Sequence, residues 1–426
     1  MAIAIIGAGY VGLPLAIAFA KYNQVICYDI SHDRIQKLKQ GVDTNKQHSK
    51  KEVLQKKLVF TNDADLLKKI SSFIITVPTP INISNHPDLS MLEKASLLVG
   101  KYISKKSTVV YESTTYPGCT EEFCIPLLEQ ASNLKYGKDF EVAYSPERVN
   151  PGDKINTLEN ITKIVGSNHK STLKKISKLY KTICKSIYPV NSIKIAESAK
   201  VIENIQRDVN IALVNELSVL FHKLNIPTNE VLKAAASKWN FHYYEPGLVG
   251  GHCIGIDPYY LAHKAEQHNY FPQLILSGRR FNENMGRYVA TQTIKLLIQN
   301  NINPSKARIA ILGFAFKQNI VDFRNTKVIQ IVNELQHCNI DVTIFDSQVS
   351  KSEVQREHNL TIYDLEKNEK NKFDCLVIAV PHKEFIQPLP YYNQFFKNTK
   401  NKIIVDLKNI FHSRDLDQQK FKYFQL

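Results

Sequence analysis

The chain has 426 residues, 43% of them hydrophobic, which exceeds one compact core and suggests two or three domains. Lysine and arginine outnumber aspartate and glutamate by 55 to 40, for a net charge of +15, but the lysine-rich stretches (Lys50, Lys51, Lys56, Lys57; Lys170, Lys174, Lys175, Lys178) read as solvated helix faces; an anionic small substrate fits that charge as well as nucleic acid does, and no nucleic-acid partner is expected. No segment resembles a signal peptide or membrane span, and the seven cysteines contain no C-x-x-C pair, so a cytoplasmic protein is expected, with no membrane partner, disulfide framework or metal.

In chain order, the apolar run Met1 to Ile6 predicts a buried strand. It leads into Gly7-Ala8-Gly9-Tyr10-Val11-Gly12 and then an apolar helix, Leu13 to Ala20. Gly7 permits a tight turn, Gly9 lets backbone approach a pyrophosphate, and Gly12 lets helix and strand pack closely, so Gly7, Gly9, Tyr10, Val11 and Gly12 form the expected cofactor turn. A second β-rich run, Gln24 to Ile30, carries Asp29 about 20 residues past the glycines, where a carboxylate binds ribose hydroxyls. That favours NAD as cofactor. Arg34 lies close enough to accommodate the 2′-phosphate of NADP, which would reverse the preference.

Short apolar runs then alternate with helical patterns: Leu58 to Thr61, Ser72 to Val77, Ser107 to Glu112, Glu141 to Ala143, Lys163 to Val165 and Ser186 to Val190. The alternation predicts a doubly wound, mostly parallel sheet. Pro78-Thr79-Pro80 and Tyr116-Pro117-Gly118 follow two of these runs and should border the nicotinamide, since ligands gather at strand carboxyl ends.

Ser192 to Leu224 has no Pro or Gly, and Val201, Ile205, Val209, Ala212, Leu213, Leu217 and Leu220 recur at helical spacing. A helix of about 30 residues, some 45 Å long, links two lobes or forms a subunit interface. Its Lys200 and Asn204 share a face with Glu197 and Asp208, which reads either as a solvated charged stripe or as a functional one. Beyond it, Val249-Gly250-Gly251-His252-Cys253-Ile254-Gly255-Ile256-Asp257-Pro258 places one cysteine among glycines that strip side chains from around the sulfur. Cys253 is therefore a candidate nucleophile.

A second α/β unit starts at Lys306, with strands Arg308 to Phe316, Asp341 to Asp346, Asp374 to Val380 and Lys402 to Asp406 and a helix from Thr326 to His337. Its first turn, Gly313-Phe314-Ala315-Phe316, keeps one of the three glycines, consistent with a nucleotide-binding fold that takes no dinucleotide. The expected fold class is α/β: two Rossmann-like doubly wound domains joined by a long central helix and a helical middle domain. The divisions are 1–190 for NAD, 191–303 for the linker, dimerisation and cysteine loop, and 304–426 for the second Rossmann-like domain.

Six ordered motifs carry a resemblance to the UDP-glucose/GDP-mannose dehydrogenase family. They are G-A-G-Y-V-G-L-P at Gly7 to Pro14, T-V-P-T-P at Thr76 to Pro80, S-P-E-R at Ser145 to Arg148, E-S-A-K-V-I-E-N at Glu197 to Asn204, the cysteine segment, and F-K-Q-N-I-V-D-F-R-N-T at Phe316 to Thr326. The resemblance implies oxidation of a nucleotide-sugar C6 alcohol to a carboxylate in two NAD-dependent steps. It implies Cys253 as the nucleophile that captures the aldehyde, Lys200 and Asn204 as supports of the developing alkoxide, and Asp257 as the carboxylate that works with the lysine and a water. Thr114 and Glu147 would hold or activate that water. Thr79, Asp29 and Arg34 match cofactor contacts, Arg324 a residue that reaches NAD from the second lobe, and Lys317 one that binds the nucleotide sugar.

The chain departs from UDP-glucose-type members at Ile256 and at Asn150-Pro151-Gly152. The stretch from Lys238 to Tyr260 instead resembles the branch that oxidises UDP-N-acetylhexosamines for surface polysaccharides, with UDP-GlcNAc expected ahead of UDP-GalNAc. Phe241, Tyr243 and Tyr244 are candidates to line the acetamido pocket, and Gly250 is a further candidate for substrate binding. UDP-glucose oxidation, a one-step hydroxyacid dehydrogenase of the 6-phosphogluconate type, and a non-catalytic nucleotide-sugar or nucleic-acid binder are the alternatives. A homodimer built on the central helix is expected.

Overall fold

The computed structural model of the protein describes residues 2–149, 155–251, 254–365, 372–398 and 400–426. The chain divides into two compact units, Met1–Asn204 with Tyr259–Phe271, and Ile205–Pro258 with Pro272–Leu426. Cys253, the central expectation of the cysteine segment, lies outside the described residues, as does the Asn150-Pro151-Gly152 departure.

The first unit holds β1 (Ala2–Ile6), β2 (Gln24–Tyr28), β3 (Leu58–Thr61), β4 (Ser72–Ile75), β5 (Thr108–Tyr111), β6 (Glu141–Tyr144), β7 (Thr162–Gly166) and β8 (Ser186–Val190). They form one sheet in the order β3-β2-β1-β4-β5-β6-β7-β8. Neighbours pair in parallel except β6 and β7, which run antiparallel with Tyr144 opposite Gly166. Helices cover both faces of a parallel sheet, so its central strands need apolar residues on both sides. Accordingly, β4 and β5 are buried at every position.

The second unit repeats this plan on a smaller scale. It holds β9 (Arg308–Leu312), β10 (Asp341–Phe345), β11 (Ile362–Tyr363), β12 (Cys375–Ile378), β13 (Lys402–Asp406) and β14 (Phe421–Gln425), all parallel, in the order β11-β10-β9-β12-β13-β14. One face packs on Val328, Ile331, Val332 and Leu335 of the Val328–His337 helix, the other on Phe385, Tyr392, Phe395 and Phe396. Both units are thus doubly wound.

The central helix runs unbroken over Ile193–Lys223. It stops where Asn225 takes a left-handed conformation (φ 56°) and the Ile226 N–H reaches back to the Phe221 carbonyl at 2.9 Å, a turn that uses up the last free carbonyls. Val201, Ile205 and Ala212 are buried within the chain, but Leu213 and Leu220 of the expected apolar stripe are about half exposed. The two strand predictions that ran into Ile30 and Phe316 overshoot. Each strand ends at the residue before a carboxylate or glycine that diverts the backbone, Asp29 after β2 and Gly313 after β9. Two strands were not foreseen: β11, which is two residues long, and β14, which lies at the end of the chain.

Candidate active site

Each of the first turn's three glycines has a different reason to be glycine. Gly7 is left-handed (φ 103°), a conformation in which a side chain is strained. A methyl at Gly12 would lie 1.8 Å from the Gly7 carbonyl oxygen and 2.5 Å from Thr76 Oγ1, so that glycine closes helix on strand. A methyl at Gly9 would meet nothing within 4 Å. The protein has no internal need for glycine there, and the open space suits a group that must approach the backbone closely. The Gly12–Ala20 helix begins beside that space with no side-chain cap and no acidic residue in its first turn, leaving N–H groups directed at an anion such as a pyrophosphate.

Asp29 and Arg34 brace the same turn. Asp29 Oδ2 accepts the Ala8 N–H at 2.7 Å and Oδ1 the Ser31 N–H at 2.8 Å, and a carboxylate's remaining lone pairs can still receive ribose hydroxyls. Arg34 is committed within the protein. Its Nε donates to the Ala8 carbonyl (3.0 Å), Nη1 to Thr44 (2.6 Å) and Nη2 to the buried Asp43 (2.9 Å). With its charge balanced by Asp43, Arg34 is poorly placed to read a 2′-phosphate, which removes the sequence argument for NADP. The residues present therefore fit NAD.

At the carboxyl ends of β4 and β5, Thr79 Oγ1 donates to the Thr114 carbonyl at 2.8 Å, and Tyr260 Oη donates to the Thr79 carbonyl at 2.9 Å. The Thr115 hydroxyl turns inward to Glu197 (3.2 Å), which also accepts the N–H groups of Gly118 (2.6 Å) and Thr120 (2.9 Å). Glu197 thus ties the Tyr116-Pro117-Gly118 turn to the central helix. Burial lifts its carboxyl to about 7 against the pull of those donors. The sequence flagged Glu197 only as a member of the polar stripe. That stripe is not solvated: Glu197, Lys200, Asn204 and Asp208 are all buried, Lys200 with 7% exposed and Asn204 with 6%.

Glu147, half-buried after β6, accepts the Val149 N–H through Oε1 and faces Lys163 Nζ at 3.9 Å through Oε2. Arg148 instead pairs with Glu203 on the central helix at 2.8 Å.

In the second unit, the glycines of the cysteine segment serve its packing. A methyl at Gly250 would lie 2.7 Å from the Asn325 carbonyl oxygen, and one at Gly251 (φ 86°) 2.9 Å from the Phe316 ring. Asn325 Nδ2 donates to the Gly251 carbonyl at 3.3 Å. These two glycines therefore hold the segment against the Phe316–Thr326 motif. Gly255 has only ordinary contacts. Asp257 is buried at the start of the Asp257–Glu266 helix. Arg279, also buried, pairs with Asp208 and lies 3.5 Å from the Ile254 carbonyl. Lys317 is exposed, and Arg324 forms a two-pronged pair with Asp322 (2.6 and 3.0 Å). Phe241 is exposed, whereas the Tyr244 hydroxyl accepts from Gln206 at 2.7 Å.

Three family models match in succession: the NAD binding domain of the UDP-glucose/GDP-mannose dehydrogenase family over residues 1–184, its central domain over 194–284 and its UDP binding domain over 310–413. Among curated relatives, a UDP-N-acetyl-D-glucosamine 6-dehydrogenase of Salmonella typhi is 47% identical over 97% of both chains, and Protein CapL of Staphylococcus aureus is 46% identical over the same shares. Among solved structures, the UDP-N-acetyl-D-mannosamine dehydrogenase of Pyrococcus horikoshii superposes with a TM-score of 0.90 at 34% identity, covering 100% of this chain and 99% of that one. The open glycine turn fits an NAD-binding domain, and the matches extend through both units, so this chain belongs to the UDP-glucose/GDP-mannose dehydrogenase family.

Proposed function

We propose that the protein is an NAD-dependent UDP-N-acetylglucosamine 6-dehydrogenase that converts the C6 alcohol of UDP-GlcNAc to a carboxylate for surface-polysaccharide synthesis. The observation that carries this reading is the 47% identity to a UDP-N-acetyl-D-glucosamine 6-dehydrogenase over 97% of both chains. Bound NAD supplies a hydride acceptor for each of the two oxidations. The chain's residues do the rest. Lys200 Nζ and the Asn204 amide, buried on one face of the central helix, stabilise the negative oxygen at C6 as its proton leaves. Asp257 assists with that proton. Cys253 adds to the aldehyde, because an aldehyde without an added nucleophile does not readily lose a second hydride. The thiohemiacetal so formed gives up that second hydride and becomes a thioester, which is hydrolysed by a water held by Thr114 and Glu147, and the sulfur leaves as thiolate. Gly250, Lys317, Phe241 and Tyr244 contact the UDP-sugar, and Arg324 contacts NAD.

We further propose a cytoplasmic homodimer. Ile195, Ile202, Leu213 and Leu220 recur along the central helix, each 48–55% exposed, and a second copy of the helix would bury this stripe. No helix among the described residues is long and apolar enough to cross a membrane. The test of function is a panel of UDP-sugars with NAD, following NADH and the acid product. UDP-GlcNAc is expected to turn over fastest, and faster turnover of UDP-glucose would overturn the substrate assignment.

A further inference from the structure

The single antiparallel pair among the described strands of the first sheet has a chemical consequence. Because β7 reverses direction, its first residues lie at the carboxyl ends of β5 and β6, where ligands of a doubly wound sheet bind. Ser145 Oγ donates to the Ile164 carbonyl at 2.7 Å and pins this register. Lys163, the second residue of β7, is thereby aimed at two carboxylates. Its Nζ lies 2.5 Å from Glu112 Oε2 and 3.9 Å from Glu147 Oε2. Lys163 and Glu112 are wholly buried. Tyr180, from the Lys170–Tyr180 helix, donates its hydroxyl to Glu112 Oε1 and holds its ring 5.6 Å from Nζ.

A buried ion pair is a poor way to gain stability, since desolvating a lysine carries a cost that apolar packing would not incur. Glu112 and Tyr180 satisfy Lys163 from one side. The contact toward Glu147 adds a second carboxylate to an ammonium that Glu112 already pairs, and Glu147 is the carboxylate assigned above to the hydrolytic water. We propose that Lys163 is a positioning residue for thioester hydrolysis: its ammonium orients Glu147 Oε2 and balances its charge, while Glu112 holds the ammonium in place. This inference rests on the reading of Glu147 given above. In the step concerned, the water oxygen bonds to the thioester carbon, the carbon–sulfur bond breaks, the sulfur departs as thiolate and the water's proton passes to Glu147. No electrons are transferred.

The charges around the group agree with this arrangement. Burial tends to discharge Lys163, but Glu112 and Glu147 outweigh it and keep the ammonium protonated. Burial raises the Glu112 carboxyl, while Lys163 at 2.5 Å pulls it back toward the charged form. The other titratable neighbours are Tyr180 and Cys184, both pushed upward by burial. Arg148 is engaged with Glu203.

The test measures the acid limb of kcat for uronic acid formation from UDP-GlcNAc in the full-length enzyme. Lys163→Met removes the charge facing Glu147, so kcat should fall about tenfold or more with KM little changed, and the limb should move up by about one pH unit. Mass spectrometry of the quenched variant should show a sugar adduct on the chain that wild type does not accumulate. Glu112→Gln removes a competing anion and should move the limb the opposite way, while Lys163→Arg restores part of the loss. Should Lys163→Met fail to fold, the shift of Glu112→Gln still carries the sign. A folded Lys163→Met with a wild-type limb, or limbs of both variants moving in the same direction, overturns the role of Lys163. Wild type that makes no uronic acid from UDP-GlcNAc overturns the functional reading itself.

Discussion

The two glycine turns share a backbone and differ in what they leave open. Gly7 and Gly313 are both left-handed, at φ 103° and 91°, and each donates its N–H at 2.8 Å to the last residue of the neighbouring strand, Tyr28 or Phe345. Each turn is then fastened by an aspartate just past that strand. Asp29 takes one turn N–H and stays partly exposed, whereas Asp346 is buried and takes two, from Phe314 (2.7 Å) and Ala315 (3.0 Å). His382 Nε2 lies 3.0 Å from Asp346 Oδ2, while its Nδ1 accepts the Asn319 N–H at 2.9 Å, so both ring nitrogens are engaged. Where the first turn has Gly9 and Gly12, the second has Ala315 and Gln318. The same strand order therefore gives a dinucleotide site in one unit and a plugged turn in the other. The plug consists of side chains, not a change of fold.

The largest effects should come from the glycines. Gly12→Ala forces a methyl onto the Gly7 carbonyl oxygen at 1.8 Å, and should cost the first unit at least about 1–3 kcal/mol and abolish NAD binding. Gly9→Ala meets open space. Its unfolding temperature should match wild type, while NAD binding weakens at least about tenfold, ~1.4 kcal/mol. Calorimetry and NAD titration on both variants separate fold from ligand, and a destabilised Gly9→Ala would show that the space has another purpose.

The aspartates should divide in the same way with smaller effects. Asp346→Ala strands the His382 ring and two N–H groups in a buried pocket, at about 1–3 kcal/mol for each orphaned group, yet should leave NAD affinity unchanged. Asp29→Ala should weaken NAD about tenfold, ~1.4 kcal/mol, and narrow its advantage over NADP, because a carboxylate beside the ribose repels a 2′-phosphate. If Asp346→Ala lowers NAD affinity in the folded protein, the turns are not functionally distinct.

Much of this contrast could be read from the sequence. The spacing of Gly7, Gly9 and Gly12 and the position of Asp29 are local signals, and the loss of two glycines at Gly313 already argued against a second dinucleotide site. The plug itself was not legible, since Asp346 and His382 lie 36 residues apart and meet only once β10 and β12 flank β9. Lys163 and Glu112, 51 residues apart, meet for a similar reason. Nothing in the pattern of Lys163 to Val165 says that β7 runs antiparallel. The burial of Lys200 and Asn204 was equally hidden, because an alternating polar stripe on a long helix looks the same whether water or protein covers it.

The smallest effect concerns Glu197, which fastens the Tyr116-Pro117-Gly118 turn. Its carboxyl is held by burial at about 7 instead of the ordinary 4.5, so the fold favours the protonated form. Its contribution is full below the ordinary carboxylate range and is lost as pH rises through about 7. Glu197→Gln should flatten the pH dependence of the unfolding temperature across that window, changing it by a few degrees, since about 1 kcal/mol corresponds to ~2–4 °C for a unit of this size. A slope identical to wild type would mean that Glu197 is ionised throughout.

The most direct measurement is the amount of NADH formed when UDP-GlcNAc is limiting and NAD is in excess. Four-electron oxidation through Cys253 predicts two NADH per sugar and a uronic acid as the only product. One NADH per sugar with the aldehyde remaining would contradict the account, whatever the affinity for either ligand.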